Sequence, residues 1–263
     1  MKEDLSKYNP EGSTLRKAQL RMLEILKAVD KICQKHNIEY FLDAGSLLGA
    51  VRHGGFIPWD DDLDIAVRKE DFGRLCKILK QELPDNMVFQ DRFTDWNMPI
   101  IIAKVRDKNS YIYEDSCTDR LKEKGLFIDI FPVEKVPSIR WKRIVDYPYG
   151  HCIRGIHNYT DTKDKILSYI VFPFSWILVQ LTRFANIFIP LEKIAPCYGW
   201  KPTYNNYFQS DVFPTKRMLF EGFQARVPNN SDAVLKALYG DYMQIPPEEK
   251  RRVHSTKIEF YDE

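Results

Sequence analysis

The stretch 54–65, "GGFIPWDDDLDI", packs four aspartates, Asp60, Asp61, Asp62 and Asp64, into five positions and runs them into the apolar Ile65-Ala66-Val67. Carboxylates repel one another and are poor strand formers. A chain that carries them here must fold so that something neutralises them. Side chains alternate along a strand, so Asp62 and Asp64 share one face while Leu63 and Ile65 turn into the core. Two carboxylates side by side suit a hard cation such as Mg2+ (or Mn2+), which takes one or two protein carboxylates and fills its shell with water and phosphate oxygens. Asp60 has the parity of Asp62 and Asp64 and reaches the same ion if the strand starts early. Asp61 points the other way, a capping or supporting position.

A third carboxylate, Asp129, stands alone among apolar residues in "LFIDIFPV". If its strand neighbours that of Asp64, the three aspartates converge in the geometry of two-metal phosphoryl transfer. Upstream, Gly45-Ser46 lies between a strand and a helix, where backbone N–H groups and the helix N-terminus favour a phosphate. Simpler readings stand beside these. Acidic runs are often solvated turns or helix caps, and a buried aspartate can do no more than bridge a buried lysine.

The rest of the chain frames that constellation. Apolar positions Leu15, Met22, Leu26, Val29 and Cys33 form the stripe of an amphipathic helix over 14–36, capped by Ser13 or Thr14 and ended by Asn37. "IEYFLDA" reads as a strand, "LLGAVR" as a helix broken by "HGGFIP", "DLDIAV" as a second strand and "KEDFGRLCKILKQ" as a helix. Strands follow at 99–107 and 125–133, with Pro132 closing the latter. This order predicts an α/β (α+β) fold, a mixed sheet flanked by helices. From 140 onward the chain reads as mostly helical. A soft boundary near 136 therefore separates a core of residues 1–135 from a C-terminal region, 136–263, that completes the substrate site.

With 39 basic against 37 acidic residues the chain offers no case for a nucleic-acid partner. Five scattered cysteines without a CxxC argue against disulfides or zinc, and with the polar N-terminus they predict a cytoplasmic protein. Residues 166–182, "ILSYIVFPFSWILVQLT", carry no charge. Length favours a buried helix pair kinked at Pro173. The alternative is an apolar surface over 166–190 that docks on the inner face of a membrane without spanning it.

"YFLDAGSLLGAVRHGGFIPWDDDLDIAVRKEDF" resembles the signature of the LicD family, phosphorylcholine transferases that decorate bacterial surface glycans, lipopolysaccharide or capsule. That family has a nucleotidyltransferase-like fold and is similar to the fukutin-type proteins. The resemblance continues in "AKVRDKNSYIY", "KGLFIDIFPVE", "KRMLFEGFQARVP" and "LYGDYMQIPPEEKRRVHS". It implies that Gly45 and Ser46 begin a phosphate loop, and that Asp62, Asp64 and Asp129 are catalytic metal ligands for about two Mg2+ ions. Arg52, Lys104 and Arg106 become candidate phosphate clamps, or partners of the aspartates. Arg217, Glu221 and His254 become candidate pocket residues. The implied reaction moves a phospho-alcohol from a CDP-linked donor, CDP-choline in the named cases, to the hydroxyl of a glycan, which can be lipid-linked. CMP leaves, and Asp129 is the candidate proton acceptor.

A quaternary ammonium needs aromatic faces; Trp59, Trp96, Tyr111, Tyr113, Trp141, Tyr147 and Tyr149 are available. Other readings are a nucleotidyltransferase proper, which moves NMP and releases pyrophosphate, and a choline- or glycan-binding protein that has lost catalysis. A Ca2+ loop is the weakest, because the regular acidic spacing and terminal glutamate are missing.

Overall fold

A computed structural model describes residues 4–98, 101–114, 118–157, 162–199, 206–251, 253 and 255–261. Ser13 caps the first helix, α1 (Thr14–Lys35), its hydroxyl accepting the Arg16 N–H at 3.2 Å, and Asn37 takes a left-handed conformation after its end. Then come β1 (Tyr40–Leu42), α2 (Ala44–His53), β2 (Asp64–Arg68) and α3 (Lys69–Glu82). Gly54 ends α2 with φ 71°, a left-handed turn that glycine adopts without the clash a Cβ brings. The strands β3 (Met87–Gln90), β4 (Ala103–Asp107), β5 (Ser110–Tyr113) and β6 (Phe127–Lys135) follow. The expected order of helices and strands holds through this half; β3 and β5 are additional.

The main sheet runs β1-β2-β6-β4-β3, with β2 parallel to β6 and the other neighbours antiparallel. Helices α1 and α3 pack on its central strands. The fold class is mixed α/β, as expected. Pro132 does not close β6: the strand runs on to Lys135. The reason lies in the ladder. Asp129 donates its N–H to Leu63, so even-numbered residues of β6 turn the other way, toward β4 and β7 (Lys193–Pro196). On that side β4 pairs only as far as Ile130 and β7 begins at Val133. Pro132 sits in the gap, where no donor is needed.

The chain beyond 140 is less helical than expected. After α4 (Ile139–His157) and α5 (Thr162–Asn186), β7 and β8 (Tyr207–Phe208) extend the main sheet. Next come α6 (Gln209–Val212), the hairpin β9 (Lys216–Phe220) and β10 (Phe223–Val227), α7 (Ser231–Tyr239), and β11 (Lys257–Phe260), which pairs with β5. The principal apolar core joins residues on both sides of 136, from Met22 to Tyr242. A smaller cluster around Val145, Tyr149, Ile153, Val179 and Tyr198 seats α4 and α5. The four described cysteines are free and buried.

On the buried face of α4 an ion pair spans one turn, Lys142 with Asp146, whose second carboxylate oxygen accepts the Gly199 N–H at 2.8 Å. Breaking a buried pair from one side costs about 3–5 kcal/mol, because the remaining charge is left uncompensated. Asp146→Ala is therefore expected to lower urea-unfolding stability by that order. Replacing both partners with apolar residues should recover most of the loss.

Candidate active site

The register of the sheet assembles the site. Asp64 of β2 lies directly beside Asp129 of β6, and Asp129 lies opposite Lys104 of β4. Three adjacent strands thus present two carboxylates and an ammonium in one row. Lys104 Nζ stands 2.8 Å from Asp129 Oδ1 and packs over the Phe127 ring. The start of α2 is stitched to the start of β2: the Ser46 hydroxyl accepts the Asp64 N–H at 2.8 Å, and the Asp43 N–H donates to the Asp64 carbonyl at 3.0 Å. From α1, the buried Gln19 amide donates to the carbonyls of Ile57 and Asp60 and fixes the acidic loop. Gly45 leaves room for an acidic side chain: a Cβ built there would come within 2.9 Å of Asp60 Oδ2 and that carboxylate would have to shift.

A pocket of about 450 Å3 opens at the Asp64 end of this row, with Gly45 from α2, Asp60, Asp62 and Asp64 from the acidic loop and β2, and Tyr239, Asp241 and Tyr242 from the C-terminal part of the chain. Arg52 joins α2 to that part, donating to the carbonyls of Tyr242 and Gln244 at 2.9 and 3.1 Å. Trp59 forms a braced wall, packed edge-on to Tyr8 and covered by the Arg251 guanidinium. Asp61 turns away and accepts the Ser255 N–H at 2.6 Å, the supporting role that strand parity assigned to it.

Electrostatically the row is under load. Burial, and then the charges of Asp62, Asp129, Asp43 and Asp60, push the Asp64 carboxyl well above its usual range. Burial lifts Asp43 from 3.8 to about 6, and its Oδ1 has no hydrogen-bond partner among the described residues. Burial and the charges of Asp43, Asp64, Asp60 and Asp62 also raise the Tyr239 hydroxyl. Among the described residues, no three His, Cys, Asp or Glu side chains stand close enough to enclose an ion by themselves. Mg2+ does not need that: one or two carboxylates with water and phosphate oxygens suffice. The donor set of Asp62 and Asp64, with Asp60 beside them, fits such an ion.

With this geometry in view, the comparisons with known proteins are specific. Residues 37–180 match the family model described as "LicD/FKTN/FKRP, nucleotidyltransferase domain". The chain is 30% identical to the lipopolysaccharide cholinephosphotransferase LicD of Haemophilus influenzae over 92% of its own length and 96% of that protein. The chain belongs to the LicD family. Shorter similarities reach the ribitol 5-phosphate transferase FKRP of Mus musculus, 40% identical over 29% of this chain and 16% of that protein. An uncharacterised protein of Rickettsia prowazekii is 32% identical over 51% of each chain.

Within this LicD family site the expected residues separate into groups. The geometry brings Gly45, Arg52, Asp60, Asp62 and Asp64 to the pocket, and Asp129 and Lys104 beside them. Ser46 faces the backbone of β2 rather than an open loop. Arg106 shares the face of Lys104 but is only 1% exposed, bound to the Gln90 side chain and, at 2.7 Å, to the Gly125 carbonyl. Burial lowers its pKa to about 10. It braces the sheet and has no open path to a phosphate.

Arg217 pairs with Asp30 of α1 at 2.7 Å. Glu221, at the turn between β9 and β10, pairs with Arg16 and accepts the Phe56 N–H. Neither lines the pocket; Arg217 ties the hairpin to α1, and Glu221 ties it to α1 and to the loop before the aspartates. His254 lies outside the described residues. Sequence reasoning missed Asp43, Tyr239, Asp241 and Tyr242. Asp43 was readable as the cap position before Ala44-Gly45; the other three depend on tertiary contact.

Two outcomes follow from this arrangement. Gly45→Ala should displace Asp60 while leaving the fold intact, weakening metal-dependent thermal stabilisation and activity by about tenfold or more, since small misplacements at a reacting centre are costly. The raised Asp64 and Asp43 groups mean that the folded chain holds protons more tightly than the unfolded one. Their stabilising effect is full below the ordinary carboxylate value; the share of Asp43 is lost as pH rises through about 6, and that of Asp64 as pH rises through its own raised value. Asp64→Asn should therefore raise the Tm of metal-free protein at pH 7.5, by roughly 3 °C per kcal/mol relieved. The gap from the parent protein should close toward pH 4, and Mg2+ should stabilise the parent far more than the variant.

Proposed function

We propose that this protein is a divalent-metal-dependent transferase that moves a phospho-alcohol, phosphocholine foremost, from a CDP-linked donor to a hydroxyl of a glycan. The observation that carries the reading is the row Asp64–Asp129–Lys104, whose Asp64 lines a pocket together with Asp60 and Asp62. Family membership and the activities named for the Haemophilus and mouse relatives support phosphotransferase chemistry in general.

Asp62 and Asp64, with Asp60, are the residues that would hold Mg2+ or Mn2+. When bound, such an ion supplies charge neutralisation for a diphosphate and for the oxygen that leaves. The chain's own residues do the rest. Arg52, fixed by two backbone carbonyls, places a permanent positive charge at the pocket wall. Asp129, held in place by Lys104, takes the proton of the attacking hydroxyl. The hydroxyl oxygen bonds to the distal phosphorus as the bond from that phosphorus to the CMP oxygen breaks, so that CMP departs with the electron pair. Trp59, Tyr239 and Tyr242 offer aromatic faces suited to a quaternary ammonium.

The test is a product assay with purified protein, Mg2+ and a panel of CDP-alcohols, with and without glycan acceptors, following CMP. CMP release from CDP-choline is expected, with Asp62→Ala and Asp64→Ala each lowering the rate by about 10³-fold, the several kcal/mol a bound ion supplies. Pyrophosphate from a nucleoside triphosphate would replace this reading with nucleotidyl transfer. Donor binding without turnover, unchanged in both variants, would leave a binding protein.

A further inference from the structure

Helix α5 is built inside out for a water-exposed element. Its buried positions are small or hydroxylated, Ser168, Ser175, Val179 and Thr182. They face α4, where Ser168 Oγ occupies the space beside Gly155 and Thr182 accepts from the Trp141 indole. Its outward positions are large and apolar: Ile170, Phe174, Ile177, Leu181, Phe184 and Phe188 recur every three or four residues from the helix into the turn after it. Phe174 is 71% exposed and Leu181 60%. The expectation of a buried helix pair is therefore overturned, and Pro173 lies within one continuous helix.

We propose that the outer face of α5 docks on an anionic lipid bilayer, lying flat in its surface. Three observations favour lipid over a protein partner. Packing through small residues and hydroxyls, with bulky apolar side chains outside, is how helices associate when their surroundings are hydrocarbon. Between Ile166 and Pro190 the sole formal charge is Arg183, and it turns inward as a bidentate pair with Glu134. Bases stand at both ends of the stripe. Lys163 and Lys165 open α5, flanking Asp164. At the other end Lys69 and Lys135 share a groove of about 470 Å3 with Ile187 and Ile189, offset in part by Glu70. Such a rim suits acidic headgroups around an inserted apolar stripe. A spanning orientation is excluded by the flank of α5 packed on α4, which is seated in the body of the protein.

The inference does not depend on the reaction proposed above, and its test needs no substrate. Full-length protein is floated with vesicles of phosphatidylcholine alone or with phosphatidylglycerol added, at low and high salt. Flotation with the anionic vesicles is expected, weaker at high salt and reduced at least about tenfold by Phe174→Glu/Leu181→Glu. Both positions are exposed, so the double variant should melt as the parent does. Should it not, quenching of the unsubstituted protein's indole emission by brominated lipid, diminished in Trp176→Phe, decides the matter. No flotation with either vesicle overturns the proposal. So does equal flotation of the double variant, or a dimer in lipid-free solution that the double variant dissolves, which would assign the face to a second copy of the chain.

Discussion

Everything around the pocket serves to hold like charges together. The parallel register of β2 on β6 sets Asp64 beside Asp129, and the acidic loop then brings Asp60 and Asp62 to the same place. Left alone, such a group would spread or take up protons. Neighbouring elements prevent the spreading. Gln19 grips the loop by its carbonyls, Ser46 fixes the first backbone donor of β2, and Lys104 neutralises Asp129 from the next strand. The absence of a side chain at Gly45 leaves room for the Asp60 carboxylate. Each of these contacts is ordinary. Together they keep in place a charge density that the reading proposed above assigns to a cation.

How much of this could be read from the sequence depends on whether the signal was local. The alternation of Asp62, Leu63, Asp64 and Ile65 set two aspartates on the pocket and two apolar side chains in the core, although β2 itself begins only at Asp64, and the cap at Ser13 and the turn at Gly54 were equally local. Arg106 had the right parity and the wrong environment. Two residues from Lys104 on the same strand, it meets Gln90 and Gly125 where Lys104 meets Asp129. Spacing reports direction, but only the neighbouring strand decides what lies there. Pro132 misled for a related reason. A proline ends a strand only where its missing donor would have been used, and here the partner strands change just at that point.

Arg217 and Glu221 illustrate a further limit. Both fall in segments that carry the family signature, yet both act as ties, Arg217 from the hairpin to α1 and Glu221 from the hairpin to α1 and the loop ahead of the aspartates. A residue can mark a family because the site would sag without it, and a motif does not separate holding from touching. The apolar run of α5 was ambiguous in a different way. Composition gave its hydrophobicity, but whether that surface faces core or surroundings turned on where Ser168, Ser175 and Thr182 point.

Arg52 and Asp61 have a consequence for the order in which the protein becomes competent. Arg52 holds the carbonyls of residues 242 and 244, and Asp61 holds the amide of Ser255, so the pocket wall comes from residues made almost two hundred positions after its aspartates. A nascent chain can form the strands and crowd its carboxylates long before that wall exists. During synthesis the acidic row is open on one side and its charges remain hydrated. The pocket closes only once residues 239–255 have been added, so a chain cut short before them would carry the acidic row without its wall.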